Sequence, residues 1–235
     1  MNTVVQLSNH PFFPYNKISE VPIFEIQLAL INIFKVWGIP KWIKVDNGRP
    51  FGDPKLEIIP PLALWLIGLN IQVIWNKPRT PQQNAIVERS QGVMANWTEF
   101  EKAKDSFELQ IRLWKEADFH NYHFPIRRLK RKKRIEAFPN LMFTGRAWKP
   151  NDFNIQRVLK FLENGSWERK VSSIGQISFY NHRFSVGLKY KHQSVCISLD
   201  IKDNQWKIFN SNGQLIKKVN TPFSKKSIWN LLKKE

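Results

Sequence analysis

Acidic residues are scarce in this chain: 19 Asp and Glu stand against 37 Lys and Arg, a formal net charge of +18 with a pI near 10.1. Cysteine is scarcer still. The single Cys196 excludes an internal disulfide, fits a reducing cytoplasm, and has no visibly paired His or Asp, so it reads as a small core residue. No long uninterrupted apolar run is present. The longest, around 23–36, is broken by Glu25, Gln27, Asn32 and Lys35, which excludes a convincing membrane span. No charged-then-apolar signal peptide opens the sequence, and no internal repeat recurs. No cationic amphipathic helix stands apart from the rest, so an anionic membrane is the weaker candidate partner. A field of +18 attracts polyanions with salt-sensitive affinity, and nucleic acid is the favoured partner.

Hydrophobic residues make up 42% and aromatics 13%, the composition of a globular protein rather than a disordered basic tail. The length of 235 residues suits one large domain or two small ones. TVVQLS (3–8) reads as a strand broken by Pro11 and Pro14. Ser19 and Pro22 open a helix whose apolar residues Ile23, Ile26, Leu30, Ile33, Phe34 and Trp37 keep helical spacing until Gly38-Ile39-Pro40. WIKV (42–45) is a short buried strand, a helix covers about 59–68, and IQVIW (71–75) is a second buried strand. With a further helix opening near Asn84, this alternation describes α/β packing with parallel strands. DSFE at 105–108 is a capping box that starts a helix over 106–122.

RRLKRKKR (127–134) then places seven basic residues in eight, followed by a proline-punctuated stretch to 150. After 165 the chain becomes β-rich, with short segments at 168–172, 176–180, 182–188, 193–199, 205–210 and 214–219. Their spacing predicts a small antiparallel barrel or sandwich. The expected organisation is an α/β domain over 1–124, a basic linker over 125–164, a small β-barrel over 165–222 and a basic tail over 223–235.

Two acids sit where chemistry is possible. Asp46 follows the strand 42–45, at the end where α/β folds place ligands, although Asp-Asn-Gly taken alone also reads as a simple turn. Glu88 falls about one turn into the helix capped by Asn84, at the edge of an inward stripe of Ile86, Val87, Ser90, Val93, Met94 and Trp97. A first-turn acid is favourable through the helix dipole whatever its role. Facing each other across the sheet's end, the two carboxylates could hold Mg2+ or Mn2+, hard ions that prefer such ligands. Paired divalent ions can activate a water or a 3′-hydroxyl and stabilise the leaving oxygen in phosphodiester displacement.

VDNGRPF (45–51) and PRTPQQNAIVERSQG (78–92) resemble the second and third acidic motifs of DDE transposases and retroviral-type integrases. WGIP (37–40), the Asn121…Pro125 pair and the C-terminal W-E-R-K-V…G-Q-I-S-F…F-S-V-G pattern are similar to the same group, so the resemblance spans nearly the whole chain. It implies an RNase H-like core that binds two divalent ions and joins DNA strands, followed by a small β-barrel. It also implies that Asp46 is the second catalytic acid and Glu88 the third. The first Asp of that family has no counterpart, since no Asp precedes Asp46 and only Glu20 and Glu25 are acidic there. Strands take about 5–6 residues each, so the stretch before Glu20 accommodates one of the three strands expected ahead of the first helix. The expectation is a catalytic domain that begins part-way through. Two carboxylates leave a metal pair short of a bridging ligand, so weak ion binding and no efficient strand transfer are expected of this polypeptide alone.

The candidate DNA contacts are Lys44 and Arg49 beside Asp46, Lys77, Arg79 and Arg89 around the Glu88 motif, and Arg127, Arg128, Lys130, Arg131, Lys132, Lys133 and Arg134 in the basic run. Ordinary surface charge is the competing reading for each. The polar loop Gln82-Gln83-Asn84 resembles the family's DNA-proximal segment. His120 and His123 lack a third ligand for zinc. The ten tryptophans are scattered, and Trp65, Trp75, Trp97, Trp114 and Trp206, with Phe209, are assigned to cores. Three functions remain: a DDE-type transposase or integrase, a non-catalytic nucleic-acid-binding remnant or regulator of a full-length transposase, and a basic structural protein. The two motifs in order argue against the third. DNA is the expected partner, with a second copy or a full-length transposase as further possibilities, and no membrane or small-molecule substrate.

Overall fold

The structure, a computed structural model, describes residues 22–53, 58–77, 85–139, 145–224 and 228. The early strand 3–8, Ser19, Glu20, Arg79 and the loop 82–84 lie outside them. The described residues fall into two compact units, one drawn from 22–46 and 74–149, the other from 47–73 and 150–228.

In the first unit, helix α1 (Ile23–Trp37) buries Gln27, Leu30, Ile31 and Phe34, a stripe at the i, i+3, i+4, i+7 spacing that shares only Leu30 and Phe34 with the expected apolar set, Ile23 being exposed. Gly38 ends it at φ 79°, a conformation that costs a glycine little, and its N–H donates to the Phe34 carbonyl. Strand β1 (Trp42–Val45) alternates, with Ile43 and Val45 buried and Lys44 exposed. Strand β2 (Gln72–Trp75), whose first two residues are counted with the second unit, also alternates, burying Val73. The expectation of two buried strands holds only for alternate residues: among the described residues β1 and β2 form a two-stranded sheet, each strand burying one face. The Asn76 N–H donates to the Val45 carbonyl at 2.9 Å, so the C-terminal ends of both strands lie side by side, as in parallel neighbours.

Helix α3 (Ala85–Thr98) follows, with Met94 and Thr98 buried. Helix α4 (Ser106–Asp118) starts on the expected cap, the Asp105 carboxylate accepting from the Glu108 N–H at 2.7 Å. It runs into a π-helical turn, Phe119–His123, that completes the predicted helix. A short helix α5 (Arg134–Ala137) succeeds the basic run.

In the second unit, helix α2 (Pro61–Gly68) is buried nearly all round, through Leu62, Ala63, Leu64, Trp65 and Leu66. It packs against helix α6 (Ile155–Glu163), which buries Val158, Leu159 and Leu162 and is capped by the Asn154 side chain. Helix α6 lies within the stretch read as a linker. At the join the Gly68 carbonyl accepts from the Asn154 N–H and the Arg157 guanidinium, both at 3.0 Å.

Six strands complete the unit: β3 (Ser166–Lys170), β4 (Gln176–Phe179), β5 (His182–Ser185), β6 (Ser194–Asp200), β7 (Gln205–Phe209) and β8 (Leu215–Asn220). Each falls within two residues of its predicted segment at the N-terminal end. They do not close into a barrel. Among the described residues β3-β6-β7-β8 form an open antiparallel sheet, and β4-β5 form a separate antiparallel ribbon. The chain leaves the sheet at Gly175, whose carbonyl accepts from the Val186 and Gly187 N–H groups and so ties the ribbon's base to itself. Trp167, Phe179, Tyr180 and Trp206 pack edge-to-face and tilted beneath it, and the Tyr180 hydroxyl both donates to and accepts from the Ile59 backbone. Overall the fold is mixed α/β with antiparallel sheets.

Candidate functional site

Asp46 is the first residue after β1 and is exposed to solvent. The hydrogen bond from Asn76 to the Val45 carbonyl sets the exit of β2 beside it, so the chain departs toward α3 from the Asp46 end of the sheet. The residues after Asp46 turn tightly: the Gly52 N–H donates to the Gly48 carbonyl at 2.8 Å. A Cβ on Gly52 would stand 2.5 Å from the backbone of Asn47, so only glycine fits there. Gly52 is a positioning residue that sequence reasoning passed over, although a glycine just past Pro50 in a turn-rich stretch is a signal for such a contact. Asp53, the next acid, is spent locally, its carboxylate accepting from the Ile58 N–H at 3.2 Å.

Glu88 occupies the fourth position of α3, in its first turn. Its side chain lies outside the described part. Arg79 also lies outside. Lys44, Arg49, Lys77 and Arg89 are all exposed.

The basic run divides in two. Arg127, Arg128, Lys130, Arg131 and Lys132 are exposed, whereas Lys133 and Arg134 are half-buried. Lys133 pairs with Glu136 at 3.4 Å, and its backbone N–H holds the Glu136 carboxyl below its usual range. Arg134 donates from Nη1 to the His120 carbonyl. These two contacts give Lys133 and Arg134 structural duties beside any role toward a ligand.

His120 is buried against Trp97, in edge contact at 5.0 Å, and Phe124, stacked at 5.5 Å. Burial foremost, and then the Arg134 charge, push its pKa down to about 4. His123 instead is exposed beside the Asp118 carboxylate at 3.5 Å. Three of the five assigned core tryptophans are corrected: Trp65 and Trp206 are buried, but Trp75 and Trp97 are only half-buried and Trp114 is 56% exposed. Phe209 is half-buried. Phe107, seven residues earlier on the same helix, is likewise 70% exposed.

An exposed carboxylate at a strand end is a donor of the type that Mg2+ and Mn2+ select. Among the described residues, no group of three or more His, Cys, Asp or Glu side chains gathers into a metal site. Asp46 belongs to no such group among the described residues.

No family model matches the chain. Among solved structures, a chain of the simian T-cell lymphotropic virus intasome in complex with PP2A regulatory subunit B56 gamma is similar to 88% of this chain and 67% of its own length. The identity is 16% and the TM-score 0.38. A likeness at that level carries no argument about fold or function. Nor does any described helix have the length and apolarity to cross a membrane.

Proposed function

We propose that this chain is a DNA-binding protein of the DDE transposase or integrase type, with an RNase H-like core whose acidic triad it supplies only in part. The observation that carries the reading is the order of two motifs on the elements that such a site needs. VDNGRPF sets Asp46 at the exposed end of β1, and NAIVER sets Glu88 in the first turn of the helix that follows β2. In this reading Asp46 and Glu88 hold Mg2+ or Mn2+, which when bound supplies activation of a water or 3′-hydroxyl for phosphodiester strand transfer in DNA integration. Lys44, Lys77 and Arg89 hold the DNA backbone near those acids. With no Asp before Asp46, the polypeptide alone binds the ion weakly and transfers strands poorly. A second reading, from the exposed cations of the basic run rather than from the acids, is a non-catalytic remnant or regulator that binds DNA beside a full-length transposase.

The test is Mn2+ titration followed by electron paramagnetic resonance, run beside a strand-transfer and nicking assay on labelled DNA. Expected are weak Mn2+ binding that Asp46→Asn and Glu88→Gln each diminish, DNA binding that survives both substitutions, and little strand transfer. Mn2+ binding indifferent to both substitutions would refute the assigned site. Robust strand transfer abolished by Glu88→Gln would show the polypeptide to be a competent enzyme and overturn the claim of inactivity.

A further inference from the structure

The basic run does not extend along the surface as a tract that could follow one strand. It closes on itself. Ile126 and Lys132 form an antiparallel bridge, the Ile126 N–H donating to the Lys132 carbonyl at 3.1 Å. Inside it the Arg131 N–H donates to the Ile126 carbonyl at 3.0 Å and the Lys132 N–H to the Leu129 carbonyl at 3.1 Å. Lys130 and Arg131 take φ of 55° and 60° to make the reversal, a left-handed conformation rare outside glycine and asparagine. Cations occupy the two strained positions, and both residues are exposed. Behind the loop, Arg134 bonds to the His120 carbonyl and Lys133 to Glu136, which anchors its exit.

Seven extended residues would span about 23–25 Å. Folded at the middle, the loop brings Arg127, Arg128, Lys130, Arg131 and Lys132 onto a backbone about half that long, with its ends about 5 Å apart. Duplex nucleic acid presents one phosphate charge per ~1.7 Å of axis, so five charges fall within about 9 Å. One strand presents them every ~3.4 Å, or over about 17 Å. The compact cluster matches the duplex density. Single-strand binding sites add aromatic platforms on which bases stack, and residues 126–134 contain no aromatic and no histidine. No acid occurs between Asp118 and Glu136 to repel a phosphate.

Resting on the DNA-binding reading above, we infer that the closed loop 126–132 is a duplex-selective phosphate clamp, its five exposed cations reaching phosphates of both strands without reading sequence. The discriminating experiment uses the full chain and fluorescence anisotropy between 50 and 200 mM salt. The probes are a random-sequence DNA duplex and one of its strands alone. Replacing all five cations by Gln is expected to lower the duplex salt slope by about 4.5, at ~0.9 per phosphate contact, and the single-strand slope by less than half as much. Over that fourfold salt range the slope change corresponds to about 500-fold in affinity. The companion variant Arg127→Lys, Arg128→Lys, Arg131→Lys keeps the charge and is expected to keep the wild-type slope. Circular dichroism on both variants separates a lost contact from a lost fold. Equal loss on duplex and single strand, or a duplex slope unchanged by the five replacements, overturns the clamp and leaves DNA binding elsewhere on the chain intact. A wild-type chain that binds neither probe overturns the DNA-binding reading itself.

Discussion

His120 enters the interior with an ionisable ring, its Nε2 buried without a hydrogen-bond partner between Trp97 and Phe124. Only the neutral form is tolerated there, because burial and the neighbouring Arg134 both oppose a positive charge and depress the pKa to about 4. The unfolded chain takes up that proton near pH 6.5. Between those values the unfolded state binds one proton that the folded state refuses, so stability is complete above about pH 6.5 and falls as pH drops to about 4, by at most ~3 kcal/mol. His120→Phe is expected to flatten this part of the stability curve, read from urea midpoints at several pH values. A curve of unchanged slope in the variant would assign the acid sensitivity to other groups. The sequence offered the His120–His123 spacing but no hint that one ring turns inward and the other outward, since that depends on the π-helical turn. Gln27 teaches the same lesson: read as a polar break in an apolar run, it is in fact fully buried, with neither amide atom hydrogen-bonded. An unpaired buried polar group costs about 1–3 kcal/mol, and no local pattern announces it.

Helix α2 ends on Gly68, where the start of α6 approaches too closely for any side chain. A Cβ there would stand 2.3 Å from Cε2 and 2.6 Å from Cδ2 of Phe153, a ring only 3% exposed and therefore without room to swing away. Gly68→Ala would gain up to about 1 kcal/mol of helix propensity but lose about 1–3 kcal/mol to overpacking. The expected result is a lower urea midpoint, partly restored by the smaller Phe153→Leu in the double variant. An alanine variant as stable as wild type would mean that the α2–α6 join yields. Elements with strong local signals were legible: α1 through its spaced apolar residues, α4 through Asp105 and Glu108, and the β segments through their punctuation by Gly175, Asn181 and Asn212-Gly213. Helix α6 carries a readable signal too, with Asn154 as cap and Val158, Leu159 and Leu162 in helical spacing. Barrel closure was not legible. Which strands pair is decided by long-range register, and β4 and β5 found each other instead of the sheet edge. Of the candidate site, the strand end at Asp46 and the helix at Glu88 were legible because each motif sits on its own local element. The tight approach at Gly52 was not, because it is a contact between backbones.

At the scale of the molecule, the chain passes between its two units more than once, so neither unit is a continuous segment. The described contacts gather 47–73 with 150–228: α6 packs on β6 of the sheet, and α2 packs on α6. A fragment starting at 165, where the composition turns β-rich, would keep all six strands but lose Val158, Leu159 and Leu162, all of them buried. Burial of such side chains stabilises by about 1.5–3 kcal/mol each, an upper bound since denatured chains already bury part of that surface. Domains have only about 5–15 kcal/mol of net stability. The fragment also leaves Tyr180 without the Ile59 backbone that satisfies its hydroxyl, and leaves the aromatic cluster around Trp206 open on that side. The 165–235 fragment is therefore expected to show no cooperative urea transition by tryptophan fluorescence, where the full chain shows one. A fragment that unfolds cooperatively at the full chain's midpoint would establish the β-rich segment as a domain in its own right, with α2 and α6 as dispensable additions to it.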